Sequence, residues 1–204
     1  MKRLVLAPHC DDETLGCGGL LAKYPDTGVL VATSPDAERR SEFDRAQKLL
    51  GFAHACFLDF KDGYVGADMR RLVGALDDVI GELRPDELYL PFPSMHQDHI
   101  AVYEAGIRAG RLSMNPDHWF TPSIYVYDVA AYDVNMYPTD LKWNVFESLS
   151  EEHVNAKVAA LKEYSSQAVV GPHPINGIKE LAQASGQARH LDFAEPFALI
   201  RHVR

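Results

Sequence analysis

The stretch Arg3-Leu4-Val5-Leu6-Ala7-Pro8-His9-Cys10-Asp11-Asp12-Glu13 decides the fold and points to the chemistry. Arg3–Ala7 reads as a buried strand, and the chain then runs straight into an imidazole and three carboxylates. The arrangement recurs where Glu87-Leu88-Tyr89-Leu90-Pro91 leads into His96-Gln97-Asp98-His99. An apolar strand has little structural use for such groups at its end. At the carboxyl ends of two neighbouring parallel strands they would form a metal site.

Between and beyond these segments, strand and helix signals alternate. A helix is expected from about Thr14 to Lys23, a strand at Gly28–Thr33, and a helix from about Glu38 to Leu50 with Gly51 as its left-handed cap. Ala55–Leu58 is a short third strand. Leu72, Leu76, Val79, Ile80 and Leu83 recur at helical spacing, in a helix from about Asp68 that Pro85 stops. Another helix follows the second motif, from about Ile100 to Arg111. The pattern predicts an α/β fold: a Rossmann-like three-layer αβα sandwich with a mostly parallel sheet, in one domain over residues 1–204. With the usual strand order 3-2-1-4, strands one and four are adjacent, and the crevice at their carboxyl ends is where ligands bind.

The second half is less regular. Ser123–Tyr127, Lys142–Phe146 and Phe197–Ile200 read as strands, Ser150 caps a helix running to about Tyr164, and Gly171–Pro174 reads as loop. Residues 112–142 carry Trp119, Phe120, Tyr125, Tyr127, Tyr132 and Tyr137. They are either a rim that faces substrate or edge-strand and core material.

Composition narrows the function classes. A net charge of −9 argues against nonspecific binding to nucleic acid or to an anionic membrane surface. No apolar stretch approaches the roughly 20 residues that span a bilayer, and the run after Met1-Lys2-Arg3 is a poor signal peptide. Cys10, Cys17 and Cys56 give no even-numbered disulfide framework. A reducing, cytoplasmic setting is expected; homo-oligomer formation stays open. Isolated histidines (His54, His118, His153, His190 and His202) read as surface residues.

The two motifs contain the parts of a hydrolytic metal centre. His9 and Asp12 lie three apart on a turn, and His99 could close a three-ligand set from the opposite strand end, leaving the fourth position for water. Nitrogen and oxygen donors suit zinc, and also admit iron, manganese or cobalt. Metal-bound water then attacks an amide, with Asp11 as general base. His96 paired with Asp98 is expected to be cationic and to hold the developing oxyanion or act as general acid. Taken singly, Asp-Asp-Glu before a helix is often only amino-terminal capping. A phosphoesterase with two metals held by Asp11, Asp12, Glu13 and Asp98, or an amidase for a non-sugar amide, are the alternatives.

At these residues the chain resembles the PIG-L/LmbE-like family of zinc-dependent N-acetylglucosaminyl deacetylases. The family's His-Pro-Asp-Asp-Glu motif corresponds to His9-Cys10-Asp11-Asp12-Glu13, followed by Gly16-Cys17-Gly18-Gly19, and its His-x-Asp-His motif to His96–His99. The resemblance implies zinc on His9, Asp12 and His99, Asp11 as base, and His96 with Asp98 serving the oxyanion and leaving group. The substrate it implies is an N-acetylated amino sugar or glycoside. It also implies substrate contacts for Arg39, in Arg39-Arg40-Ser41-Glu42, and for Asp62, in Asp62-Gly63. Lys157–Gln167 and Ala194–Phe197 resemble the family's late helix and final strand. Cys10 replaces the usual Pro, Ser94 stands where an acidic residue often precedes the second motif, and the chain is short for the family.

Overall fold

Arg3, Leu4, Val5, Leu6 and Ala7 are all buried in the computed structural model of the chain, which describes residues 2–129, 140–168, 171 and 174–203. They form β1 (Arg3–Ala7), the middle of the five parallel strands in a seven-stranded sheet ordered β3-β2-β1-β4-β5-β7-β6. The other strands are β2 (Gly28–Thr33), β3 (His54–Phe60), β4 (Glu87–Pro91), β5 (Ser123–Tyr127), β6 (Val145–Leu149) and β7 (Phe193–His202). Neighbours from β3 to β5 pair in parallel, and only β7 runs antiparallel to both its partners. The expected 3-2-1-4 order holds.

Successive strand side chains point to opposite faces, so each face has its own core. Leu4 and Leu6 join Leu72, Leu76 and Ile80 of α3 (Met69–Leu83) and Val102 and Ala105 of α4 (Gln97–Ala109). Val5 and Ala7 join Leu20 and Leu21 of α1 (Asp12–Lys23), Phe43 and Ala46 of α2 (Ala37–Leu50), and Ala160 of α5 (Glu151–Glu163). Helices on both faces bury the inner strands β1 and β2 at every position, whereas the edge strand β3 is exposed at His54, Ala55 and Asp59. Among the described residues, no helix is long and apolar enough to cross a membrane. Cys10, Cys17 and Cys56 are free thiols.

Several boundaries move. Both motif helices begin earlier than their periodicity indicated: α1 at Asp12, and α4 at Gln97 with His96 as its N-cap. The segment expected to be a strand at Lys142–Phe146 pairs at Val145–Leu149, with Asn144 Oδ1 accepting from Leu199 N–H just before it. The last strand is longer than expected, and α6 (Ile178–Gln187), which no strong sequence signal marked, packs against it. The described part of the aromatic stretch is not a rim. Tyr127 is fully buried, Trp119 donates to Pro85 O and packs on the core, and Tyr125 stacks on Tyr89. Tyr132, Tyr137 and the Pro172-His173 part of the expected loop lie outside the described residues. His118 departs from the surface reading: its ring is 10% exposed, with Nε2 3.1 Å from Arg111 O.

Gly16 lets α1 lie against β5. A Cβ there would stand 2.0 Å from the Tyr127 ring, which is held by its hydroxyl donating to Leu6 O. By contrast, a Cβ at Gly81 of α3 meets nothing. Ala gains about 1 kcal/mol over Gly in a helix, whereas overpacking a closed core costs about 1–3 kcal/mol or more. Urea denaturation should therefore show Gly81→Ala stabilised by roughly 0.5–1 kcal/mol and Gly16→Ala destabilised by roughly 1–3 kcal/mol.

Candidate metal centre

The carboxyl ends of β1 and β4 bring the two motifs together. Asp12, in the first turn of α1, is buried, and its Oδ2 lies 3.2 Å from His9 Nδ1 and 3.4 Å from His99 Nε2. Zinc–nitrogen and zinc–oxygen bonds near 2.05 Å arranged tetrahedrally put neighbouring donors about 3.3 Å apart. Both distances, from His9 and from His99 to Asp12, suit such an ion, although Asp12 belongs to neither of the two donor clusters that gather within 4.8 Å. His9, His96 and His99 also form a cluster whose ligand atoms lie within 4.8 Å of one another, and a second set of His9, Asp62, His96 and Asp98 overlaps it. Because the two sets share His9 and His96, they describe one locus.

The carboxylate environments differ sharply. Burial alone would raise the Asp12 carboxyl, but His99 and His9 hold it well below the usual carboxylate range. Burial likewise works against a charged His9 ring, yet Asp12, Asp98 and Asp62 outweigh it and raise its pKa to about 9. Asp11 moves the other way. Burial and then the Asp12 carboxylate push it well above its ordinary value, against the pull of Arg39. Asp11 also sits at φ 137°, in the left-handed region that favours glycine, as the N-cap of α1. Its N–H donates to Glu13, whose carboxylate is buried and also accepts from Thr14 and from Tyr164 at 2.6 Å. Glu13 is thus a support for the turn, facing away from the imidazoles and toward α5.

Asp98 takes a different place from the one expected. Its carboxylate accepts from Gly63 N–H at 2.7 Å and Val65 N–H at 3.1 Å, and it meets His9 Nε2 at 3.1 Å. What His96 receives from Asp98 is the backbone N–H, at Nδ1, over 3.2 Å. An Nδ1 that accepts carries no proton, so His96 is a neutral ring with its proton on Nε2. Burial, then His9 and His99, lowers its pKa accordingly. The cationic His96–Asp98 pair is therefore corrected to a neutral imidazole beside a carboxylate that orients His9. A carboxylate on one ring nitrogen fixes the orientation of the imidazole and raises the basicity of the other nitrogen.

Arg39 and Asp62 both reach the locus. Asp36 caps α2 by accepting from Arg39 N–H, and Arg39 Nη1 then lies 3.6 Å from Asp11 and 3.7 Å from Glu42. Asp62 is 75% exposed, with Oδ1 3.1 Å from His9 Nε2. Cys10 is buried, burial pushes its thiol far up, and it stands in neither donor cluster. Ser94, visible in the sequence only as a departure from the family pattern, places Oγ 3.1 Å from His99 Nδ1. Beside Asp11 a cavity of about 490 Å³ opens, lined by Leu15 of α1, Leu161 and Tyr164 at the end of α5, and Ile178 of α6. Among the described residues of the site, Asp11 lines it.

The raised His9 pKa contributes a definite pH response to the metal-free protein. Its stabilising effect is fully present below its ordinary value of 6.5 and is lost as pH rises through about 9. Thermal melts in chelator should fall between those limits, by an amount of order 3 kcal/mol in stability. Added zinc should abolish the fall, since ligand deprotonation then favours binding. A flat melting temperature in chelator would contradict this electrostatic account.

The sequence profile described as GlcNAc-PI de-N-acetylase (PIG-L) matches residues 4–110, which hold β1 to β4 and both motifs. The uncharacterized deacetylase YaiS of Escherichia coli (strain K12) is 30% identical over 179 residues, 80% of this chain and 90% of its own. Among solved structures, N,N'-diacetylchitobiose deacetylase from Pyrococcus horikoshii is similar with a TM-score of 0.75 and 19% identity, over 98% of this chain and 84% of that one. GalB, the 4-carboxy-2-hydroxymuconate hydratase of Pseudomonas putida KT2440, is similar with a TM-score of 0.74 and 20% identity, over 100% of this chain and 98% of that one. These two share the fold and differ in reaction, so the fold alone names no chemistry. Just over half of the chain matches the family profile, and both of the family's motifs stand at its strand ends: the chain belongs to the GlcNAc-PI de-N-acetylase (PIG-L) family.

Proposed function

We propose that the protein is a metal-dependent amidohydrolase that removes an N-acetyl group from an amino sugar or its glycoside, in a cytoplasmic setting. One observation carries this reading. His9, Asp12 and His99 meet on one side of a turn that also bears Asp11, while the His96 ring stands 4.9 Å and 5.2 Å from the His9 and His99 rings. Family membership supports the amide as the bond, and YaiS and the chitobiose deacetylase support acetyl as the group removed.

His9, Asp12 and His99 would hold the ion, zinc or another divalent metal, which when bound supplies a Lewis acid and a water acidic enough to attack near neutral pH. Asp11, whose environment favours proton uptake, takes the proton of the attacking water and returns it to the leaving amine. His96 Nε2–H donates to the carbonyl oxygen as charge develops there. Asp98 keeps His9 in place and ties the Gly63 loop to α4. Arg39 steadies the Asp11 carboxylate and, with Asp62, borders the space for the sugar. The cavity beside Asp11 gives room for the group attached to it. The phosphoesterase alternative loses support, because Glu13 faces Tyr164 and is not available to bridge a second ion.

Free-amine release from a panel of N-acetylglucosamine derivatives tests the reading, with zinc-loaded protein and the Asp11→Asn variant as control. We expect release by the wild type, and a kcat reduced about 10²- to 10⁴-fold in Asp11→Asn with zinc affinity nearly unchanged. His96→Ala should lower kcat about 10²- to 10³-fold. Asp11→Gly should also be inactive yet melt at a higher temperature, since relief of the left-handed backbone is worth about 1–3 kcal/mol. No release from folded, metal-loaded protein across the panel would overturn the amino-sugar reading.

A further inference from the structure

His99 can offer Nε2 to a cation only when its ring proton is on Nδ1, and the group facing Nδ1 therefore governs the site. That group is the hydroxyl of Ser94, 3.1 Å away, and both residues are fully buried. Where an ionised carboxylate stands in this position it can only accept, holding the ring permanently in the metal-ready tautomer. A hydroxyl can donate or accept.

We infer that Ser94 is a positioning residue whose hydroxyl serves His99 in both tautomers, an assignment that rests on the metal-centre reading above. Without metal, His99 Nε2–H faces Asp12 Oδ2 at 3.4 Å, and Ser94 donates its hydroxyl proton to Nδ1. With metal on Nε2, the ring proton is on Nδ1 and Ser94 accepts it. The ring holds one proton in both states, so only its position changes. The serine oxygen need not move for this. His96 N–H donates to it at 3.3 Å, and Ser94 N–H is anchored on Phe92 O at 2.7 Å. Rotation of one hydroxyl hydrogen completes the exchange. The Ser94–His99 hydrogen bond is kept in both states, and the same oxygen links a metal ligand to the backbone of His96.

Long-range proton–nitrogen spectra of protein labelled with ¹⁵N-histidine read the tautomer directly. At pH 8, metal-free wild type should show His99 protonated on Nε2 and zinc-loaded wild type should show it on Nδ1. Ser94→Ala should weaken zinc binding about 10- to 100-fold in competition with a chelator, and Ser94→Thr should restore most of it. Protonation on Nδ1 in both states, or unchanged zinc affinity in Ser94→Ala, would overturn the role of Ser94. None of these readouts uses a substrate, so loss of the deacetylase reading would leave them intact. Failure of wild type to bind zinc would overturn the metal centre itself.

Discussion

Three consecutive carboxylates at the end of a buried strand each need a separate counter-group, because a buried charge left unpaired is among the costliest features a fold can carry. Asp12 is satisfied by His9 and, from α4, by His99. Glu13 turns to Thr14 and, from the end of α5, to Tyr164. Asp11 faces Arg39 from the first turn of α2. Three helices, from distant parts of the chain, are therefore drawn to one turn. The central position of β1, with β2 on one side and β4 on the other, is what puts all of them within reach. Gly18 and Gly19 bring the rest of α1 close enough to seat the buried Lys157–Glu195 pair, with Glu195 accepting from Gly19 and Leu20 N–H.

The same constraint separates the chemical roles. A carboxylate between two imidazoles is held ionised and suits a cation. A carboxylate crowded by two others, with one guanidinium nearby, favours a proton. Identical side chains one residue apart thus acquire opposite tendencies from their surroundings alone. The backbone of Asp11 bears part of the cost in its positive φ, a pattern common where function and stability compete.

Much of this was legible from the sequence, and the misses have physical reasons. Strand runs ending in ligand-type residues survive as local signals, and the crossover rule for parallel sheets then places both ends together. The cationic His96–Asp98 pair was not foreseen correctly because His96, as the N-cap of α4, uses Nδ1 to accept a backbone N–H. Adjacency in sequence suggested a carboxylate on the ring nitrogen, whereas His96 Nδ1 accepts from the Asp98 backbone N–H and the carboxylate stands within 4.8 Å as part of the same cluster. The described aromatics of residues 112–142 failed as a rim because composition carries no direction, and Trp119 and Tyr127 find carbonyl partners inside the core. Ser94 and Tyr164 had no local signature at all. A hydroxyl becomes a partner of an imidazole or a buried carboxylate only through tertiary contact.

The most direct measurement is anomalous diffraction at the zinc edge from crystals of zinc-loaded protein. The account predicts one strong peak per chain, bonded to His9, Asp12 and His99, with Asp11 and His96 beside it. A peak centred on Asp62 and Asp98, two peaks bridged by Glu13, or no peak among the imidazoles would contradict it.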